Sequence, residues 1–129
     1  MSIERQFILA EMSRISAIIA NLNAIKSHIF YEDQEYSMDF VTKIDEAINL
    51  LDLSKQKFVK IVSYDLGMNK IRLEEISGIY GSISTINSLS NIIINYENTN
   101  KSNHILSLFE LLMECTKLNL NLDRYCPGK

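Results

Sequence analysis

A chain of 129 residues that is 47% hydrophobic and 22% charged carries enough apolar mass for one domain with its own core. That balance excludes a disordered chain and removes any need for disulfides or metals. Its net charge of −3 gives no general attraction to nucleic acid or an anionic membrane, and four glycines with one proline favour long helices over many short strands.

Ser2 is placed to cap a first helix running to about Phe30. Its apolar seam is Ile8, Ile15, Ile18, Leu22, Ile25 and Ile29, and from Ile15 onward the steps alternate three and four, the heptad rhythm. Phe7, Met12 and Ile19 widen that stripe to the breadth of a globular bundle helix. Glu4, Arg5, Glu11 and Arg14 interrupt the apolar run, so neither a signal-peptide segment nor an uninterrupted membrane span is read here.

The stretch FYEDQEYSMD, Phe30 to Asp39, then breaks from its surroundings. Glu32, Asp33, Glu35 and Asp39 are interleaved there with Tyr31 and Tyr36. A calcium loop needs a glycine bend and a distal bidentate glutamate, and no glycine occurs before Gly67. Two readings remain: a solvated connection between helices, or an acidic, tyrosine-bearing contact surface. Tyrosine gives rigid contact at low entropic cost, and clustered carboxylates complement a basic cleft.

Ser37 is a good N-cap for a second helix, with Asp39 suiting the dipole of its first turn. Phe40, Ile44, Ile48 and Leu51 carry its period. Asp52-Leu53-Ser54 marks a kink or break, since Asp and Ser favour caps over helix interiors. Phe58, Val62 and Leu66 continue the pattern to Gly67, a natural helix stop, and Asn69 is placed to cap the next helical segment.

From Leu73 through Ile76, Ile79 or Tyr80, Ile83, Ile86, Leu89 or Ser90, and Ile93 the period is again helical. The segment SGIYGSISTINSLS is nevertheless rich in poor helix formers, and a strand pair competes. The length of the sustained period favours helix, on which Ser77, Gly81, Thr85 and Ser88 would form a small-residue strip. Asn98 to Asn103 reads as a polar loop. A last helix comes next, holding Ile105, Leu108, Phe109, Leu112, Cys115 and, more loosely, Leu118 and Leu122, with Pro127-Gly128 at its end. The expected fold is all-α: a single domain over 1–129, an up-down bundle of four or five mostly antiparallel helices, with a flexible tail at 124–129.

No motif carries catalytic chemistry. His28 and His104 are far apart and belong to no metal-binding helix motif, and Cys115 and Cys126 have no paired spacing. No catalytic, cofactor or metal residue is assigned, and the two cysteines read as reduced thiols of a cytoplasmic protein. Charge is unevenly spread: residues 30–54 hold seven acids against Lys43, and 55–72 hold five bases against Asp65. Such a split either steers a charged partner or is consumed between neighbouring helices. The acidic neighbour argues against nucleic acid on the basic segment.

The expected function is therefore non-enzymatic protein binding. Its sharpest form is an inhibitor or immunity-type protein whose surface at Tyr31, Glu32, Asp33, Glu35, Tyr36 and Asp39 neutralises a basic protein such as a nuclease toxin. The alternative is a helical chaperone or adaptor, homodimeric or not, binding through an apolar helix face. Its expected surfaces are Phe7, Met12 and Ile19, or the small-residue strip.

Overall fold

The helical periods of the sequence become four helices among the residues that the computed structural model describes, 2–32, 38–63, 71–95 and 101–126. Helix α1 spans Ile3–Glu32, α2 Met38–Ser63, α3 Leu73–Ile94 and α4 Lys101–Asp123. Ser2 caps α1 as its residue type demands, its Oγ accepting the Arg5 N–H at 3.1 Å. Helix α3 starts at Arg72 with no side-chain cap. The expected caps Ser37 and Asn69, and the stop at Gly67, lie outside the described residues.

The segment with the poorest propensity is helical throughout, and no strand occurs among the described residues. Ile76, Ile79, Ile83, Ile86, Leu89 and Ile93 of α3 are all buried, and that burial outweighs the cost of its Gly, Ser and Thr residues. The Asp52-Leu53-Ser54 break does not form either. Ser54 is fully buried inside an uninterrupted α2, and its hydroxyl lies 3.1 Å from Asn119 Oδ1 and 3.2 Å from Leu50 O.

Helix α1 lies beside α2 and α3, and α4 also lies beside α2 and α3. The consecutive helices α2 and α3 are therefore diagonal across the bundle. Direction follows from the contacts. Phe7 of α1 meets Tyr80 of α3, and further along Arg14 meets Ser84, so these neighbours are parallel. Phe40 stacks on His104 at one end of the α2–α4 pair, while Lys57 reaches Asp123 at the other, so this pair is parallel too. Chain direction alternates from helix to helix, as expected of an up-down bundle, but two of the four lateral pairs run parallel.

The core runs along the axis through Ile8, Ile15, Ile18, Leu22 and Ile29, then Ile44, Leu51, Phe58, Ile83, Ile86 and Leu118. The α1 seam matches the heptad spacing except that Ile25 is half-buried. By length and composition alone, residues 3–30 form a helix long and apolar enough to cross a membrane. Glu4, Arg5, Glu11 and Arg14 lie in its first half and Lys26 in its second, which leaves an uncharged stretch from Ile15 to Ile25.

At the other end of the chain, residues 124–126 of the expected flexible tail continue α4 with turn hydrogen bonds, and Tyr125 and Cys126 are buried in the core. The remainder, 127–129, lies outside the described residues.

Candidate functional site

Of the acidic contact surface expected at the α1–α2 corner, Asp33, Glu35 and Tyr36 lie outside the described residues. Tyr31 and Glu32 extend α1 by two residues beyond the expected end at Phe30. Asp39 is exposed in the first turn of α2, where its charge complements the helix dipole. Beside it, Phe30 and Met38 are exposed and border a groove of about 320 Å³ also lined by Lys26, Val41, Thr42 and Asp45. Lys26 Nζ and Asp45 Oδ1, 2.9 Å apart, form an ion pair across that groove.

Part of the charge split is consumed inside the bundle. The acidic half of α2 gives Asp45 to Lys26 of α1. The basic half gives Lys57 to Asp123 of α4 at 2.9 Å, and the same ammonium donates to the Asn119 carbonyl at 3.1 Å. Complementary helix exteriors thus account for one residue of each half, while Asp39, Glu46, Asp52 and Lys60 stay exposed.

The candidates for chemistry are separated and packed away. His28 is exposed on α1. His104 is fully buried, with its Nε2 2.8 Å from the Ile93 carbonyl and its ring stacked on Phe40 at 4.8 Å. Burial pushes its pKa below the usual 6.5, against the opposing effect of that carbonyl. Cys115 is buried, and desolvation with the nearby Glu114 pushes its thiol up to about 12, far from the thiolate a nucleophile needs. Among the described residues no group of three or more His, Cys, Asp or Glu is placed to hold a metal ion.

One charged side chain is buried within a helix pair. Glu11 is almost fully buried between α1 and α3, and desolvation raises its pKa despite the Arg14 guanidinium 2.7 Å away. Arg14 also donates to Ser84 Oγ at 2.9 Å and lies 4.7 Å over the Tyr80 ring. Arg14 thus ties Glu11 on its own helix to Ser84 and Tyr80 on α3, which fastens α1 to α3.

Of the two surfaces expected for an adaptor, one is half-buried and the other is open. Phe7, Met12 and Ile19 are half-buried against the core. The small-residue strip of α3 is exposed, and a Cβ added at Gly81 would meet nothing within 4 Å, so no backbone approaches it. Large apolar side chains are exposed on every helix, and on α4 they form a continuous row. Leu106, Phe109, Met113 and Leu120 are exposed to 57%, 48%, 59% and 64%, with Thr116 exposed between the last two.

Positions 106, 109, 113, 116 and 120 are separated by steps of three and four, the spacing of a helix–helix seam. A second seam with the same rhythm, His104, Leu108, Leu111, Cys115, Leu118 and Leu122, faces the core. The apolar period expected for this helix joins residues of both seams: Ile105 and Phe109 are exposed, and Leu111, outside that period, takes an inward place. The signal was present: apolar residues on α4 fill two heptad registers, more than one buried face requires. Lys43 of α2 borders the outer seam, its ammonium 5.4 Å from the Phe109 ring centre.

No family model, curated protein or solved structure matches this chain.

Proposed function

We propose that the chain is a non-enzymatic protein-binding module, an adaptor or chaperone-like helical bundle whose contact surface is the outer face of α4. The observation that carries this reading is the exposed seam of Leu106, Phe109, Met113 and Leu120 on a helix that already has a complete inward seam. A solvated helix exterior has no use for four large apolar side chains at heptad spacing, whereas a partner helix does. Burying such a seam yields a complex that barely responds to salt.

The test is capture from the native host with tagged wild-type chain and with Met113→Lys, at low and high salt. A partner retained in high salt by the wild type and lost by Met113→Lys supports the reading. Retention unchanged by Met113→Lys and by Phe109→Ser overturns it.

The inhibitor or immunity-type reading has one observation in its favour. Exposed Phe30 and Met38 border a groove at the corner where Asp39 is exposed, which joins apolar contact to negative charge. A basic, salt-sensitive partner lost on charge reversal at Glu32, Asp33 and Glu35 would support it. An undiminished affinity after that reversal would exclude it.

A further inference from the structure

We infer that the outer face of α4 takes a second copy of this chain, the two α4 helices packing antiparallel about a two-fold axis beside Met113. This rests on the reading of α4 as a contact surface and names its occupant.

With Leu106, Met113 and Leu120 as positions a and Phe109 and Thr116 as d, the flanking e positions are Glu110 and Lys117, and the g positions are Ile105, Leu112 and Asn119. On α4 itself charge therefore occurs on the e side alone, while Lys43 of α2 stands on the g side beside Phe109. In a parallel pair, e faces g of the other helix, which sets Lys117 against uncharged Leu112 and leaves Glu110 with Lys43 of α2 as the only charge on that side of the seam among the described residues. In an antiparallel pair, e faces e. Glu110 of each copy then meets Lys117 of the other, and one motif forms two ion pairs about the axis. Such flanking charges select orientation and partner in helix–helix seams. A surface whose charges complement themselves under a two-fold rotation is what an isologous dimer requires.

The apolar positions agree with the same axis. Leu106 pairs with Leu120 of the second copy, and Met113 lies at the centre. Thr116, the polar member of the seam, donates its hydroxyl to the Leu112 carbonyl at 2.9 Å, so its burial strands no donor. Lys117 contacts Glu114 on its own helix at 3.4 Å, but that pair is solvent-exposed on the lysine side and holds it weakly. The apolar side chain available is on the order of 500 Å² per copy, at the upper end of what a monomer ordinarily exposes. Two such faces bury on the order of 1,000 Å², the low end for a specific interface, so the dimer is reversible and concentration-dependent.

The test combines sedimentation with cross-linking. Wild-type chain is sedimented from low micromolar concentration to about 1 mM, beside Met113→Lys, Glu110→Lys, Lys117→Glu and the double exchange E110K/K117E. All these positions are exposed, and unchanged helical circular dichroism verifies each fold. The wild type is expected to dimerise, with Met113→Lys weakening association about tenfold or more. Each single charge change should weaken it several-fold, and the double exchange should restore it.

Under mild oxidation, Met113→Cys is expected to cross-link to itself. Leu106→Cys should cross-link only when mixed with Leu120→Cys, with wild type as the control for the two native thiols. A wild type monomeric at every concentration, or self-linking of Leu106→Cys, overturns the proposal. A monomeric wild type that still loses a captured partner on Met113→Lys overturns the second copy and leaves α4 as a binding face. A dimer indifferent to Met113→Lys overturns this interface.

Discussion

Asn119 is the residue on which the α2–α4 register turns. It is buried, donates through Nδ2 to Leu50 O at 2.9 Å and Cys115 O at 3.2 Å, and meets Ser54 through Oδ1. Removing one partner strands the others, so Asn119→Ala is expected to cost about 2 kcal/mol in urea unfolding, and Ser54→Ala about 1 kcal/mol. The two costs should fall short of additive in the double variant, because each removes the same contact. His104 makes a second prediction at this scale. Its pKa in the fold lies below the 6.5 of the unfolded chain, so from that pH downward the unfolded state binds the extra proton. Its contribution to stability is complete above 6.5 and is lost as pH falls toward the folded value. Unfolding free energies measured between pH 8 and 5 should therefore fall more steeply for wild type than for His104→Leu. Neither role was legible beforehand. A serine and an asparagine 65 residues apart show no mutual signal until two helices bring them to 3.1 Å.

At the scale of elements, α1 was the most legible, because its apolar seam keeps one period from Ile8 to Ile29, about six turns, and a serine stands at its start. Helix α2 was legible in extent but not in continuity, since Ser54 reads as a breaker until its hydroxyl finds a buried partner. Helix α3 was legible through apolar spacing against its own propensity. That conflict makes a prediction: Gly78 and Gly81 are exposed in mid-helix, and an added Cβ meets nothing within 4 Å at either position. Gly78→Ala and Gly81→Ala should each stabilise the fold by about 0.5–1 kcal/mol, visible as a raised thermal midpoint. A fall at either site would mean that the strip is packed against something. Helix α4 was legible as a helix but not in its facing, because two apolar seams on one cylinder leave the inward one undetermined until neighbours choose it.

For the whole molecule, the ring order decides which helices share an interface. Arg14, Tyr80 and Ser84 join α1 to α3, and Ser54, Lys57, Asn119 and Asp123 join α2 to α4, while Lys26 with Asp45 ties α1 to α2 and His104 with the Ile93 carbonyl ties α4 to α3. Chain ends also take part. Tyr125 is buried, and desolvation together with its hydrogen bond to Glu75 on α3 pushes its phenol pKa up to about 12. Tyr125→Ala is expected to cost about 3 kcal/mol by loss of core volume, and Tyr125→Phe about 1 kcal/mol by loss of the hydrogen bond, both read by denaturant unfolding. An unchanged midpoint for Tyr125→Ala would return these residues to the status of a loose tail.

The sequence by itself determined the all-helical class, a count of four or five helices, and the inward seam of α1 apart from Ile25. All of these follow from composition, capping and the periodicity of apolar residues, which are local properties of the chain. Only the tertiary structure decided that α2 and α3 lie on a diagonal, that Ser54 and Asn119 meet, and that α4 turns Leu106, Phe109, Met113 and Leu120 to solvent. The reason is physical. Periodicity reveals that a helix has an apolar stripe, but which of two stripes is buried depends on the volume and direction of neighbours distant in sequence. The surface left over is a property of the assembled bundle.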